Sequence, residues 1–438
     1  MHRFKIGIAT ALLLLVSLGI LSLGRQPETQ TESLTKRTSP SQSENKIDPE
    51  QAKIYRLRQE RVRVQIRDYF TKALAAKHIV GAGVSIVQGD SILLLEGFGK
   101  RNVMESTSSI DGQTLFRLGS LSKGFAGVLA TDLREEGKID WDDTVRSYLP
   151  EFQLGDSVNT EKITLAHILS HTSGTPYHSF TNLVEAGLPL STIAKRFKEV
   201  APISDPGAMY SYQNAMFALC GEIMEQVTGQ DIATLLTTRF FTPLGMKGTT
   251  TDYHTLINST NVALPHTRRG KGWVPRKLSN SYHNAIAAGG INASSEDMAK
   301  WMRFLLGHNP QVMESSELAQ AFAPRVEVNI GRKYYKRWPG HVASHYGFGW
   351  RNHTFEDENT GARETVWHHG GSVNHFRNEI ALYPQADLGI CVLINGPSKL
   401  AGTVIPDLRA IVRKVYEKTA ATSTDTLPQS TAALSFEE

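Results

Sequence analysis

Three serine–lysine pairs with the spacing S-x-x-K are the first candidates for chemistry in this 438-residue sequence. The pairs are Ser33 with Lys36, Ser43 with Lys46, and Ser120 with Lys123. Residues three apart share one face of a helix, so a lysine amine can reach the serine hydroxyl. A free lysine has a pKa of about 10.4, and it can act as a base near neutral pH only where its surroundings lower that pKa. The spacing therefore predicts a serine nucleophile wherever the fold keeps the lysine away from water.

Composition around the three pairs separates them. From about residue 25 to residue 50 the sequence is rich in Ser, Thr, Gln, Pro, Glu and Lys, with almost no large apolar residue, which is typical of a disordered linker. Ser33 and Ser43 lie in this linker, where nothing could shield a lysine. Ser120 is instead followed by small and apolar residues from 124 to 130, as in a buried helix. Ser120 and Lys123 are therefore the candidate catalytic pair.

The first 24 residues have the pattern of an export signal or of an uncleaved membrane anchor. Residues 1–5 are basic, and residues 6–23 are almost all apolar or small. That apolar run is just long enough to span a bilayer. We therefore expect an exported protein, periplasmic or anchored facing outside the cytoplasm. The predicted organisation is a signal or anchor (1–24), a linker (25–50), a folded domain (51–418) and a disordered tail (419–438).

Composition restricts the partners. Hydrophobic residues make up 40% of the chain, which suits a large buried core, and 47 basic residues face 43 acidic ones without a basic block. We therefore expect a small-molecule or peptide substrate and no nucleic acid, with the membrane involved only through the N-terminal segment. Cys220 and Cys391 each lie in an apolar run and are predicted to be core thiols. No cofactor is expected, and the oligomeric state is left open.

Local patterns predict an α+β fold. A charged amphipathic helix is expected from residue 48 to about residue 76, and hairpins are expected at 83–98 and 376–395. Between the hairpins the patterns are mostly helical, for example at 214–228 and at 295–306, where Ser294 is a predicted N-cap. We expect the N- and C-terminal strands to pair in an antiparallel sheet flanked by helices, with an all-helical subdomain inserted between them.

A second titratable group is needed near the serine–lysine pair, and phenols are the candidates. The pattern Y-x-N occurs at Tyr212 with Asn214 and at Tyr282 with Asn284. The first occurs in a loop that leads into an apolar helix, where side chains can face a cleft. Tyr212 is therefore preferred, and Tyr282 is retained as the alternative.

Residues 367–372 read W-H-H-G-G-S, and the paired glycines Gly370 and Gly371 would let the backbone approach a substrate closely. An oxyanion hole needs such an N–H opposite the nucleophile. Metal binding is the alternative interpretation of His368 and His369, but adjacent residues on a strand point to opposite faces.

A second histidine pair, His167 and His171, has the four-residue separation of metal ligands on a helix. The glutamate of the H-E-x-x-H pattern is absent between them. A structural role for this pair is favoured, and no metal site is predicted.

Together these stretches resemble the penicillin-recognising serine hydrolases, and within them the class C β-lactamase-like family that includes D-aminopeptidases, DD-carboxypeptidases and esterases. The likeness covers roughly residues 83–395. It rests on S-x-x-K at Ser120, on Y-x-N at Tyr212 and on an H-x-G form of the K-T-G strand at His368. The phrases ILSHTSG (168–174), AGGINAS (288–294) and YGFGW (346–350) are also similar to the family's.

The resemblance implies a role for each matched residue. Ser120 would be the acylated nucleophile, Lys123 would take or share its proton, and Tyr212 would act as a general base and then protonate the leaving group. Which of Lys123 and Tyr212 is the base stays open. Backbone N–H groups of Ser120 and Gly371 would form the oxyanion hole. The implied substrate-binding residues are Asn214, His368, His369 and Gly370.

Two departures from the family pattern bear on the substrate. His368 replaces the lysine of K-T-G, so a fixed positive charge is lost or becomes pH-dependent, and the bulky His369 takes the place of a small hydroxyl residue. Both departures favour a peptidase or esterase with another recognition group over efficient β-lactam hydrolysis. The predicted function is an exported serine hydrolase that cleaves amide or ester bonds of peptidoglycan-like or D-amino-acid peptides. The alternatives are a class C-type β-lactamase and a catalytically silent, membrane-anchored binding or scaffold protein of the same fold.

Overall fold

The computed structural model describes residues 49–329, 331, 333–358 and 360–420. The predicted signal or anchor, nearly all of the linker and all but two residues of the predicted tail lie outside this part of the chain. The described residues belong to one compact unit that begins at Pro49. Within them, no helix combines the length and the apolar character needed to cross a membrane.

The centre of the fold is an antiparallel sheet of eight strands in the order β2-β1-β12-β11-β10-β9-β8-β7. Two further pairs, β3 with β6 and β4 with β5, are separate. The strands are β1 (Gly81–Gln88), β2 (Ser91–Gly99), β3 (Leu115–Arg117), β4 (His266–Arg269), β5 (Gly272–Pro275), β6 (Asn292–Ser294), β7 (Val326–Glu327), β8 (His341–Tyr346), β9 (Arg351–Glu356), β10 (Arg363–Val373), β11 (Phe376–Tyr383) and β12 (Leu388–Ile394). Both predicted hairpins are confirmed, and β1 pairs with β12, as expected for N- and C-terminal strands that share a sheet.

Helices cover both faces of the sheet. The helices are α1 (Pro49–Ala75), α2 (Ser122–Glu135), α3 (Val145–Tyr148), α4 (Ser157–Lys162), α5 (Leu165–Leu169), α6 (Thr181–Glu185), α7 (Leu190–Arg196), α8 (Asn214–Thr228), α9 (Ile232–Leu236), α10 (Tyr253–Asn258), α11 (Ser295–Leu305), α12 (Ser315–Phe322) and α13 (Val404–Ala420). α1 and α13 pack together on one face, where Val84 and Ile86 of β1 point. α11 lies on the other face, which it shares with α2 and α8 in the larger core. This arrangement confirms the predicted fold class.

Local signals explain the element ends that the sequence predicted well. Ser294 accepts a hydrogen bond from the Asp297 N–H and caps α11. α8 begins at Asn214 and ends before Gly229, whose φ of 68° suits glycine at a helix C-terminus. α13 continues to Ala420, two residues past the predicted domain boundary. Cys220 and Cys391 are buried free thiols, as predicted.

Three strands of the large sheet were not predicted. β8 and β9 contain polar and histidine residues instead of the alternating apolar pattern of a half-buried strand, and β7 is only two residues long. These strands extend the sheet beyond β10. Their presence determines where the edge of β10 is covered and where it is open.

Candidate active site

Ser120 lies in a tight turn at the start of α2. The 3₁₀ turn Gly119–Leu121 leads directly into α2, and Gly119 has a φ of +58°, a conformation that suits glycine. The Ser120 side chain is partly exposed, whereas Lys123 is fully buried. A substrate can therefore reach the serine while the lysine stays shielded from water.

The Lys123 amine has three oxygen neighbours. Its Nζ lies 2.8 Å from Asn214 Oδ1, 2.7 Å from the backbone oxygen of Ala288 and 3.5 Å from Ser120 Oγ. Burial, and then the charge of Arg351, hold the pKa of Lys123 well below its ordinary value. A buried lysine with these neighbours is uncharged more readily than a lysine in water. The structure thus brings together the predicted pair Ser120 and Lys123.

Asn214 connects the lysine to a second tyrosine. Its side-chain oxygen accepts from Lys123, and its Nδ2 donates to the Tyr282 hydroxyl at 3.0 Å. His178 Nδ1 also lies 3.4 Å from this Nδ2. Tyr282, the alternative Y-x-N tyrosine, therefore belongs to the site as a partner of Asn214. Its own neighbour Asn284 instead donates to the backbone oxygen of Leu188.

Tyr212 lies against the lysine and the serine. Lys123 Nζ is 4.9 Å from the centre of the Tyr212 ring. Burial raises the pKa of Tyr212 to about 12, although Arg351 and then the nearby Ser120 side chain oppose the rise. Tyr212 is therefore a neutral phenol near pH 7. The preference for Tyr212 over Tyr282 agrees with this placement.

Strand β10 runs close to the Ser120 turn. A Cβ on Gly371 would lie 2.1 Å from the backbone oxygen of Leu118, and a Cβ on Gly119 would lie 3.0 Å from the backbone nitrogen of Ser372. β9 covers one edge of β10 only as far as the pair His368 with Arg351. From His369 onward this edge of β10 has no ladder partner in the described part of the sheet, and it faces the turn.

The hairpin between β10 and β11 determines which N–H groups point toward that open edge. Asn374 and His375 both have positive φ, 46° and 67°, which defines a two-residue type I′ turn. Such a turn closes on a hydrogen-bonded pair, here Val373 with Phe376. Hydrogen-bonded and non-bonded pairs then alternate along the ladder, so the Gly371 N–H points to β11 and the Ser372 N–H points to the open edge. The prediction that Gly371 supplies the N–H facing Ser120 is therefore corrected to Ser372.

The two adjacent histidines lie on opposite faces of β10, as predicted. His368 is fully buried, 2.8 Å from Glu379 Oε2 and 3.1 Å from His353 Nε2. His369 instead hydrogen-bonds the Tyr346 hydroxyl at 3.0 Å, with its ring 6.3 Å from that of Tyr212. The expectation that His368 binds substrate is corrected, because His368 is buried against Glu379, whereas His369 is the side chain of this strand that faces Tyr212. Gly370, between them, packs against the Tyr334 hydroxyl and Glu379.

Arg351 is a site residue that no motif predicted. It begins β9, and its guanidinium carbon lies 5.3 Å from the Tyr335 ring centre and 5.8 Å from that of Tyr346. In the part of the chain that the structure describes, its buried Nε has no hydrogen-bond partner. Its charge contributes to the lowered pKa of Lys123 and, after burial, of His369. The only sequence signal was its position directly after YGFGW.

No cluster of three or more metal-binding side chains occurs among the described residues. His167 and His171 do not share a site: His167 Nδ1 accepts from the Thr164 N–H, whereas His171 packs on Tyr212.

Comparisons with known proteins agree with this fold. A family model described as Beta-lactamase matches residues 66–412. The chain is 27% identical over 346 residues to Protein flp of Staphylococcus aureus (strain MW2), with 78% of this chain and 65% of that protein covered. It is also 27% identical over 374 residues to Unguisins hydrolase ungD' of Aspergillus campestris (strain IBT 28561), with the same coverage. The chain therefore spans about 65% of the length of these relatives.

Two solved structures share the architecture. The octameric penicillin-binding protein homologue from Pyrococcus abyssi superposes with a TM-score of 0.66 at 23% identity, covering 79% of this chain and 77% of that one. EstCE1, described as a hydrolase with promiscuous acyltransferase activity, superposes with a TM-score of 0.67 at 19% identity, covering 81% of this chain and 99% of that one. At these identities the likeness concerns the fold. By the extent of the family match, the chain belongs to the beta-lactamase family, with the β-lactamase/transpeptidase-like fold.

Proposed function

We propose that this protein is a serine hydrolase that forms an acyl-enzyme on Ser120 and cleaves amide or ester bonds. The arrangement of three oxygens around the buried Lys123 amine carries the proposal, because burial lowers the pKa of this lysine and favours its neutral form. A neutral amine has two N–H groups and one lone pair. Asn214 and Ala288 offer two acceptors at 2.8 and 2.7 Å, which use both N–H groups. The lone pair is then left for the Ser120 hydroxyl at 3.5 Å.

This arrangement supports Lys123, of the two candidates, as the general base of the acylation step. Ser120 Oγ attacks the substrate carbonyl carbon while its proton passes to Lys123 Nζ. Tyr212, a neutral phenol with a pKa of about 12, can donate its proton to the leaving group and recover one from Lys123. Water then attacks the acyl-enzyme by the same route in reverse, which frees Ser120.

Two backbone N–H groups are placed to stabilise the oxyanion. One is that of Ser120, at the N-terminus of α2, where the helix dipole favours negative charge. The other is that of Ser372, which points to the open edge of β10 beside the turn. Donors of this kind act on charge that develops only in the transition state, and removing one costs roughly 10²–10³ in rate.

Substrates with a free carboxylate fit the surroundings best. A guanidinium whose Nε lacks a partner within the described residues can bind a planar anion with two parallel hydrogen bonds. Arg351 would thus supply the positive charge that relatives take from the K-T-G lysine. We therefore propose amides or esters of peptidoglycan-like or D-amino-acid peptides as substrates, bound through a terminal carboxylate. The names of two similar proteins, an unguisins hydrolase and a hydrolase with promiscuous acyltransferase activity, are compatible with acyl transfer.

The deciding experiment is intact mass spectrometry after exposure to a fluorophosphonate. We expect one adduct on the wild-type protein and on Ser43→Ala, which alters the serine of another S-x-x-K, and none on Ser120→Ala. Absence of an adduct on the wild type would reject the hydrolase and favour a silent scaffold. A parallel assay with the chromogenic β-lactam nitrocefin separates a β-lactamase from a peptidase or esterase. We propose an exported location from residues 1–24 alone.

A further inference from the structure

His171 holds an unfavourable backbone conformation at the end of a short helix. α5 ends at Leu169 with Ser170 as its cap, and His171 follows with a φ of 61°. Glycine is the usual residue at this position, and other residues adopt the left-handed conformation only at a steric cost. A histidine held there indicates that its side chain makes contacts that glycine could not.

Those contacts surround Tyr212. The backbone oxygen of His171 accepts from the Ser211 N–H at 2.8 Å, and its Nδ1 accepts from the Gln213 N–H at 3.2 Å. Ser211 and Gln213 are the two residues on either side of Tyr212. His171 therefore binds the peptide groups that flank the phenol in both directions along the chain.

The ring of His171 also packs on the phenol itself. It is 1% exposed, and its centre lies 4.2 Å from that of Tyr212 and 4.8 Å from that of Tyr346. Because Nδ1 accepts a hydrogen bond, the proton of the neutral ring is on Nε2, which has no partner among the described residues. Burial, followed by the charge of Lys123, keeps the pKa of His171 well below its ordinary value.

We propose that His171 is a positioning residue for Tyr212, fixing its backbone from both sides and its ring from one face so that the hydroxyl meets Ser120. The inference rests on the proposed function, because it assigns His171 a part in that reaction. His171 acts through Tyr212 alone, because a side chain that is so deeply buried cannot contact the substrate. Its loss should therefore reduce kcat for acyl transfer and leave KM nearly unchanged.

The test is a double-mutant cycle with Tyr212→Phe, read as the rate of fluorophosphonate labelling and as kcat and KM on a p-nitrophenyl ester. His171→Gly suits the backbone and removes both the ring and the Nδ1 acceptor. His171→Asn also tolerates a positive φ and returns an acceptor oxygen without the ring. His167→Asn is the matched control, since this histidine caps α5 through Thr164 and makes no described ring contact with Tyr212.

We expect His171→Gly to lower kcat tenfold or more in the wild-type background and less than twofold when Tyr212 is already phenylalanine. His171→Asn should recover part of the loss, and His167→Asn should match the wild type within about twofold. Equal losses in both backgrounds would overturn the proposal, as would no loss in either. If His171→Gly does not fold, the same cycle is read with His171→Asn. Absence of labelling on the wild type instead rejects the proposed hydrolase, so the two failures are distinguishable.

Discussion

The closest approach between β10 and the Ser120 turn predicts a large effect of a single methyl group. In Gly371→Ala, the added Cβ would lie 2.1 Å from the Leu118 backbone oxygen and 2.7 Å from Leu121 Cδ1. Non-bonded atoms prefer separations of about 3.5 Å, so the strand and the turn must move apart by roughly 1 Å. A displacement of about 1 Å costs on the order of 10² in rate when it separates reacting groups. We expect Gly371→Ala to acylate about 100-fold more slowly.

The assay is the rate of fluorophosphonate labelling, followed together with thermal unfolding. Overpacking of this kind costs typically about 1–3 kcal/mol, less than the stability of most domains, so the variant should still fold cooperatively. Gly221→Ala in α8 is the matched control, because its new Cβ would be 3.3 Å from Cδ1, the terminal side-chain atom of Ile232. The control should label within twofold of the wild type and gain about 0.5–1 kcal/mol of stability. A folded Gly371→Ala protein that labels within about threefold of the wild type would refute the reasoning.

Three further predictions concern the charges of the site. Lys123→Met should lower the acylation rate by a factor of roughly 10²–10⁴, because it removes the general base. Because the pKa of Lys123 is lowered from 10.5 in the folded protein, the unfolded chain binds more protons below that pH. The free energy of unfolding of the wild type, relative to that of Lys123→Met, should therefore fall as the pH drops from 10 toward 7. Urea unfolding at several pH values measures this difference, and a difference that stays constant would mean that Lys123 is charged in the folded protein. Arg351→Met should remove the preference for esters with a terminal carboxylate. We expect kcat/KM to fall by about 10- to 100-fold for those substrates only. Equal losses on neutral esters would contradict the assignment of Arg351 as the carboxylate-binding residue.

Short-range patterns predicted much of the fold and the main site residues. The hairpins and α8 follow from apolar periodicity and turn residues, which act within a few positions along the chain. Ser120 and Lys123 lie one helical turn apart, so their proximity requires only that the helix forms. Tyr212 was chosen from its place before α8, and the structure puts it against Lys123.

Other assignments depended on contacts between distant segments. The Y-x-N pattern did not reveal that both Tyr212 and Tyr282 belong to the site, because Asn214 reaches Tyr282 across 68 positions. Arg351 carries no motif of its own, and only the unpredicted strand β9 brings it beside β10. The sequence predicted only a structural role for His171. In the folded protein it accepts hydrogen bonds from the backbone N–H groups of the two residues that flank Tyr212.

The sequence by itself determined the chemical groups available: a serine, a lysine one turn away, a phenol before an apolar helix, and a glycine pair on a strand. Only the tertiary structure decided which face and which N–H of that strand meet the serine. Along a strand both side chains and N–H groups alternate in direction, so a shift of one residue exchanges His368 for His369 and Gly371 for Ser372. The type I′ turn at Asn374 and the start of β9 at Arg351 set that register, through the pairing of β10 with its two neighbouring strands.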